Sequence, residues 1–197
     1  MEQQTSLLVE NILYIKNVVC PRCIRIIWEQ LTLLGIPVVQ VSLGQAELSR
    51  PLLAVEKETL KSALEEYGFS LLEDRKSRLV EQVKNLLIDV IYYRHGKVTC
   101  NYSTYLSNSL GKNYGTISHA FSSEESTTIE KYAILLRVEY IKAQLEYDEL
   151  SLSEIATRLQ YSSLSHLSKQ FKGVTGITPS EYKKVLPKSR RPLNMLI

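Results

Sequence analysis

Polar side chains that could bind nucleic acid recur along one short segment near the C-terminus. Ser163, His166, Lys169 and Gln170 are spaced so that they share the outer face of a helix. Hydroxyl, imidazole, amine and amide groups can reach phosphates or base edges when such a helix enters a major groove. The same spacing is equally compatible with a solvated face of a helical hairpin that binds no DNA.

Two short amphipathic helices, joined by the turn Gln160-Tyr161-Ser162, are predicted to carry this face. Ser151 and Glu154 have the capping-box spacing, and Gly176 is a helix stop. The apolar stripe of the first helix is Leu152, Ile155, Ala156 and Leu159, and that of the second is Leu164, Leu167, Phe171 and Val174. A third helix is predicted to begin at Thr178-Pro179-Ser180-Glu181.

Residues 151–182 closely resemble the AraC-type DNA-binding domain. The resemblance rests on Ser153-Glu154-Ile155-Ala156, Tyr161-Ser162-Ser163, Leu167-Ser168-Lys169-Gln170-Phe171-Lys172 and Thr175-Gly176-Ile177-Thr178-Pro179-Ser180-Glu181-Tyr182-Lys183. It implies a double-stranded DNA partner and a second helix-turn-helix upstream. The family usually has glycine where this chain has Gln160, so a strained or reshaped turn is expected there.

A weaker helix-turn-helix is predicted over residues 101–121. Its helices are Tyr102 to Ser109 and Tyr114 to Phe121, with Gly111 in the turn. Ile117-Ser118 with Phe121 echoes Leu167-Ser168 with Phe171, 50 residues later, which indicates an internal duplication. A capping box at Thr127-Thr128-Ile129-Glu130 is predicted to start a connecting helix that ends near Leu145 and is about 27 Å long.

The AraC-type resemblance implies base and backbone contacts on both recognition helices. In the first they fall on Gly115, Thr116, Ser118 and His119; in the second they fall on Leu164, Ser165, His166, Ser168 and Lys169, beside the Ser163 already noted. The family commonly has arginine at the position of Lys169. A lysine there loses bidentate guanine reading but keeps single hydrogen bonds and phosphate contacts.

A Cys-x-x-Cys pair, Cys20 and Cys23, opens the first predicted helix of the chain. Two thiolates at a helix N-terminus, where the helix dipole is expected to lower their pKa, suit a soft ion such as Cu(I) or Ag(I). Zn(II) would need further ligands, for example when two chains share it. A redox-sensing dithiol and a vestigial pair on a dimerisation domain stay open as alternatives. Cys100 lies outside any ligand spacing and is expected to be structural.

The predicted elements around these cysteines follow the order βαββαβ, a ferredoxin-like sandwich. Strands are expected at residues 11–18, 37–43, 46–48 and 69–72, and helices after Cys20 and from Glu58 to Tyr67. About residues 10–73 resemble the heavy-metal-associated domain of copper chaperones and metal-transporting ATPases. That family favours Gly-Met-Thr before the first cysteine, where this chain has Asn17-Val18-Val19.

Composition and charge bound the remaining classes. The predicted fold is α+β: residues 8–73 form the heavy-metal-associated-like domain, 74–95 a linking helix, 96–186 the DNA-binding domain and 187–197 a basic tail. Residues 1–73 hold 6 Lys/Arg and 9 Asp/Glu, whereas residues 155–197 hold 8 and 1, so the polyanion partner is expected at the C-terminal end. No apolar run reaches membrane-spanning length, and no basic signal-peptide start is present, which predicts a cytoplasmic protein.

No catalytic constellation accompanies the three histidines, so no enzyme is expected. The sequence therefore favours a sequence-specific transcription regulator that responds to a soft metal ion and is compatible with a homodimer. The alternative is a metal carrier or thiol-redox protein whose C-terminal helices serve protein contacts.

Overall fold

The computed structural model describes residues 11–94, 100–185 and 190–197. The described residues up to Asn85 form one compact unit, and those from Leu86 onward form a second. No membrane-spanning candidate exists among the helices of these described ranges, since none is both long and apolar enough.

The N-terminal unit is a four-stranded antiparallel sheet with two crossing helices, in the βαββαβ order that the sequence predicts. The strand order is β2-β3-β1-β4, with Tyr14 opposite Gln45 and Ile15 opposite Leu71. The elements are β1 (Ile12–Lys16), α1 (Pro21–Leu33), β2 (Val38–Ser42), β3 (Gln45–Leu48), α2 (Ala54–Glu65), β4 (Ser70–Leu71) and α3 (Arg75–Ile88).

The apolar stripes of the sequence become the core of this unit. Its fully buried members come from the sheet and both crossing helices, and they include Ile15, Ile27, Leu31, Leu60 and Leu64. Each supplies about 1.5–3 kcal/mol when buried. This burial fixes which face of β1 and of α1 points inward, and hence where the Cys-x-x-Cys segment emerges.

Helix α2 begins at Ala54, four residues before the predicted start at Glu58. The side chain of Glu56 accepts a hydrogen bond from the backbone N–H of Leu53 at 2.9 Å and pairs with Arg50. Arg50, followed by the Leu53 N–H, lowers the pKa of Glu56 to about 2. An ion pair formed with an earlier loop residue therefore starts this helix, where Leu53 has no capping side chain.

The predicted helix from Asp74 to Tyr93 is helical throughout its described length but changes type. Helix α3 runs to Ile88, and a π-helical segment, Asp89–Tyr93, follows. Val83, Leu87 and Val90 of its apolar stripe are fully buried. The predicted stop at His95-Gly96 lies outside the described residues.

The C-terminal unit is helical in its described parts. Its helices are α4 (Tyr102–Leu110), α5 (Tyr114–Glu125), α6 (Ile129–Tyr147), α7 (Leu152–Arg158), α8 (Leu164–Thr175) and α9 (Pro179–Lys184), with a 3-10 turn at Leu193–Met195. Helix α6 starts one residue later than predicted. Thr128, not Thr127, caps it by accepting from the Lys131 N–H, and the Glu130 carboxylate instead accepts from the hydroxyl of Tyr114. The capping box predicted at residues 127–130 is therefore wrong.

The described end of the predicted basic tail is docked on α6. The backbone N–H of Arg191 donates to the buried Glu139 carboxylate at 2.9 Å, and the Arg190 guanidinium lies 3.5 Å from a Glu146 oxygen. Leu196 is buried. Arg190 is thus engaged within the protein, while Lys188 lies outside the described residues.

Candidate nucleic-acid interface

Each of two helix-turn-helix units is shaped by a residue in the left-handed backbone region. Gly111 ends α4 with φ of 60°, and Gln160 follows α7 with φ of 56°. The expectation that Gln160 occupies a glycine-favouring conformation is confirmed. Because an L-residue avoids this region, the second turn carries backbone strain that the first does not.

The first recognition helix, α5, presents most of its predicted contact residues to solvent. Asn113 caps the helix by accepting from the Gly115 N–H at 2.8 Å. Gly115, Thr116 and His119 are exposed, and Ser118 is half-buried. The opposite face carries Ile117 and Phe121, both fully buried.

The second recognition helix, α8, also exposes the residues assigned to it, with one change of role. Ser163 is the N-cap and lies before the helix, where its hydroxyl accepts from the His166 N–H at 3.1 Å. Ser165, His166 and Lys169 are exposed, and Ser168 is half-buried. The predicted apolar stripe is narrower than expected: Leu167 and Phe171 are fully buried, but Leu164 and Val174 are 41% and 40% exposed. Leu164 therefore belongs to the outer face.

Two polar side chains of α8 are held in place by residues of the preceding turn. The Ser162 hydroxyl lies 3.1 Å from Nδ1 of His166, and the Tyr161 ring packs edge-on against the same imidazole at 5.3 Å. The Tyr161 hydroxyl also donates to Oε1 of Gln170. Nε2 of His166 and the Gln170 amide nitrogen remain as the outward groups. The sequence contained only a weak signal for this arrangement, an aromatic residue and a serine after the turn.

The surroundings of the two recognition helices differ in charge. Residues 101–126 contain one Lys and two Glu, and residues 151–184 contain five Lys/Arg and two Glu. Capping boxes begin α7 at Ser151 and α9 at Thr178, as predicted. Opposite-sign charges at phosphate distance strengthen DNA binding, so the second unit is the better polyanion surface.

The thiols of Cys20 and Cys23 lie together at the N-terminus of α1. Cys20 is the N-cap residue, Cys23 is in the first turn, and their sulfurs are 3.2 Å apart. Burial, followed by the hydrogen bond with Cys20, raises the pKa of Cys23. The expectation that the helix dipole lowers it is wrong for Cys23, because partial burial disfavours the thiolate.

The loop that leads into this helix is anchored from two sides. The Asn17 N–H donates to the buried carboxylate of Glu81 on α3, and the Asn17 side chain donates to the carbonyl of Gly68, both at 2.9 Å. Asn17 itself has φ of 72°. Within the described ranges, no cluster of three or more His, Cys, Asp or Glu side chains could hold a metal ion, and Cys100 is a free, partly buried thiol.

Comparison with known proteins places a recognised domain over both helix-turn-helix units. Residues 106–184 match the family model described as a helix-turn-helix domain. An uncharacterized HTH-type transcriptional regulator of Escherichia coli (strain K12), YdiP, is 30% identical over 106 residues, which are 51% of this chain and 34% of that protein. The chain thus spans about a third of that relative's length. The C-terminal domain of AraT, a response regulator from Geobacillus stearothermophilus, is 19% identical with a TM-score of 0.48, and the match covers 60% of this chain and 96% of that one. The C-terminal unit of this chain contains a helix-turn-helix domain.

Proposed function

We propose that the chain is an AraC-type transcription regulator that binds specific double-stranded DNA through α5 and α8 and catalyses no reaction. The observation that carries this proposal is the edge of α8, where His166 and Lys169 are exposed and the turn before the helix fixes the imidazole. Polar groups held in place by neighbours lose less side-chain entropy on binding DNA. The match of residues 106–184 to a helix-turn-helix family and the regulator name of the relative support the same function.

Base reading by α8 follows from the groups that its outer face offers. Lys169 supplies an ammonium that can donate to guanine O6 or N7 or pair with a phosphate. The Gln170 amide can bind adenine, although its carbonyl already accepts from Tyr161. The exposed methyl groups of Leu164 suit a thymine methyl.

Helix α6 suits the use of both recognition helices on one DNA. Its 19 residues span about 28 Å, near the ~34 Å between major-groove faces one turn apart. Helix α5 would then read a second groove through Thr116, Ser118 and His119. Its lack of Lys and Arg predicts that it contributes hydrogen bonds and shape more than phosphate neutralisation.

Selection of bound fragments from a random DNA library, followed by fluorescence anisotropy, tests this function. Lys169→Ala and His166→Ala should each weaken binding to the selected site by about 1–3 kcal/mol. Lys61→Ala is the matched control, because it removes an exposed cation from the N-terminal unit. No enriched sequence, or equal affinities for the α8 variants and wild type, would contradict the proposal.

For the N-terminal unit we propose a ferredoxin-like, heavy-metal-associated-like domain whose Cys20 and Cys23 bind a soft ion. Two sulfurs 3.2 Å apart on one turn can move onto one two-coordinate ion with small side-chain rotations. Tetrahedral zinc would need two more ligands, which a second copy of the chain could supply in a homodimer. The raised pKa of Cys23 means that loading must displace a proton, so binding should strengthen as pH rises.

The anchoring of the cysteine loop supports a regulatory role for this site. Asn17 lies three residues before Cys20 and donates to Glu81 of α3, and α3 continues to Ile88, past the boundary between the two units. An ion shifts DNA affinity only if it binds one conformation of this segment better than another, and typical couplings are about 1–3 kcal/mol.

Metal content and DNA affinity of the doubly substituted Cys20→Ser, Cys23→Ser protein test this role. The variant should lose stoichiometric Cu(I) or Ag(I), keep the DNA affinity of the metal-free protein, and erase any difference between metal-free and loaded protein. Cys100→Ser is the matched control for a thiol outside the pair. Wild-type protein that binds no soft ion under reducing conditions would contradict the metal site and leave the redox dithiol and vestigial alternatives.

A further inference from the structure

Arg137, on the helix that joins the two helix-turn-helix units, contacts both of them. Its Nη2 donates to the hydroxyl of Tyr102 at 2.9 Å, and Tyr102 is the first residue of α4. Its guanidinium carbon lies 5.4 Å from the centroid of the Tyr102 ring and 5.3 Å from that of Tyr161. Tyr161 belongs to the turn between α7 and α8.

These contacts place one cation between two aromatic rings that belong to different helix-turn-helix units. Arg137 is half-buried and Tyr161 is 8% exposed, so the contacts are partly shielded from water. A cation–π pair contributes about 0.5–1 kcal/mol at exposed sites and about 2 kcal/mol when desolvated. Nε of Arg137 is buried without a hydrogen-bond partner, so the guanidinium is held mainly by the two rings and the Tyr102 hydroxyl.

The contacts continue from Tyr161 to the outer face of α8. Its hydroxyl donates to Gln170, and its ring packs against the imidazole of His166. A displacement of Tyr161 would therefore move two of the groups that α8 offers to DNA. Arg137 is connected to those groups through one side chain and to the first unit through another.

We propose that Arg137 is a positioning residue that fixes α8 relative to the first helix-turn-helix unit, so that the protein selects DNA by the spacing between two half-sites. This inference rests on the DNA-binding function proposed above. A planar guanidinium can stack between two rings while donating in its plane, whereas a lysine ammonium cannot do both. Arg137→Lys should therefore fail to restore the function of Arg137.

Spacing discrimination is the property that separates positioning from general stability. Two base pairs inserted between the half-sites of the selected DNA should weaken wild-type binding by about 10- to 100-fold, because one half-site is misplaced. In Arg137→Met and Arg137→Lys this penalty should fall to less than about fivefold, while affinity for the isolated α8 half-site stays within about twofold of wild type. Lys131→Met, which removes an exposed cation from the same helix, should keep the wild-type penalty.

A distance measurement without DNA keeps the inference separable from the proposed function. Spin labels at Thr116→Cys and Ser165→Cys, with Cys20, Cys23 and Cys100 changed to Ser, report the distance between α5 and α8 by pulsed electron paramagnetic resonance. Arg137→Met should broaden or shift the distance distribution, and Lys131→Met should not. An unchanged distribution overturns the inference whether or not the protein binds DNA. An unchanged insertion penalty, or an equal loss of affinity on the isolated half-site, also overturns it, even when wild type binds DNA as proposed.

Discussion

The two helix-turn-helix units share a backbone plan but differ in chemistry. In each, a residue with positive φ separates two helices, and a buried phenylalanine of the recognition helix packs on a tyrosine eleven residues later. Their outer faces diverge: α5 has no Lys or Arg, whereas α8 has Lys169 and Lys172. The interior of the duplicated unit is thus similar in both copies, and the difference lies where DNA would bind. Fold and affinity can therefore be changed separately in each unit.

Removal of the paired phenylalanines should have the largest effect and should be similar in both units. Phe121 and Phe171 are fully buried, with ring centroids 5.7 Å from Tyr132 and 5.6 Å from Tyr182, respectively. Phe121→Ala and Phe171→Ala should each lower the free energy of unfolding by about 3–5 kcal/mol, because burial is reduced and a cavity remains. Urea denaturation followed by circular dichroism measures both. A decrease in one unit less than half that in the other would show that the two cores are not equivalent.

Salt dependence should show that the cations of the second unit carry most phosphate contacts. Lys169→Ala should flatten the slope of log K against log salt by up to about 0.9. The sequence alone predicts a similar change for the removal of any one of Lys188, Arg190 and Arg191 that neutralises a phosphate. Because Arg190 pairs with Glu146, Arg190→Ala should change the slope less than Lys169→Ala. Equal slope changes in Lys169→Ala and Arg190→Ala would mean that the tail leaves α6 to bind DNA.

The two turns should respond in opposite directions to exchange of glycine. Gln160→Gly should stabilise the second turn by about 0.5–1 kcal/mol, since the cost of an L-residue in this region exceeds the added unfolded-state entropy. Gly111→Ala should destabilise the first by about 1 kcal/mol through its φ of 60°, because a Cβ there would meet no neighbouring atom within 4 Å. Thermal unfolding of both variants measures these effects. Destabilisation by Gln160→Gly would show that the glutamine side chain has a role in the turn.

Local patterns predicted most elements of this fold. Apolar stripes and caps gave the helices of the second unit, including the capping boxes at Ser151 and Thr178. Predictions failed where a distant residue decided the outcome. Glu56 starts α2 with help from Arg50, and Glu130 accepts from Tyr114 of the preceding helix. No spacing rule within one element contains such pairings.

The candidate interface was predictable as a set of residues but not as an arrangement. Exposed polar positions on α8 follow from the helical period, and the structure exposes His166 and Lys169 as that period requires. The role of Tyr161 depends on Arg137, Gln170 and His166, which come from two other elements. Only the fold brings these side chains together.

Acid should weaken the helix caps of the second unit selectively, which is the smallest effect expected. The Ser151 hydroxyl and backbone lower the pKa of Glu154, and the backbone and hydroxyl of Thr178 lower that of Glu181. A folded-state pKa below the unfolded value of about 4.3 adds stability above that pH, and this stability is lost as the pH falls through the folded-state value. The double variant Glu154→Gln, Glu181→Gln should therefore melt below wild type at pH 7, and the difference should shrink below about pH 4.

The first unit supplies the pH-independent control for this prediction. Asn113 caps α5 with an amide, which does not titrate, so Asn113→Ala should cost about 1 kcal/mol at pH 7 and at pH 3 alike. Glu149→Gln controls for loss of an exposed carboxylate two residues before the Ser151 cap. Differential scanning calorimetry at both pH values measures all three proteins. If the melting difference of the Glu154, Glu181 variant persists at pH 3, the carboxylate charge is not what stabilises these caps. The two units would then differ in DNA-facing charge but not in how their helices begin.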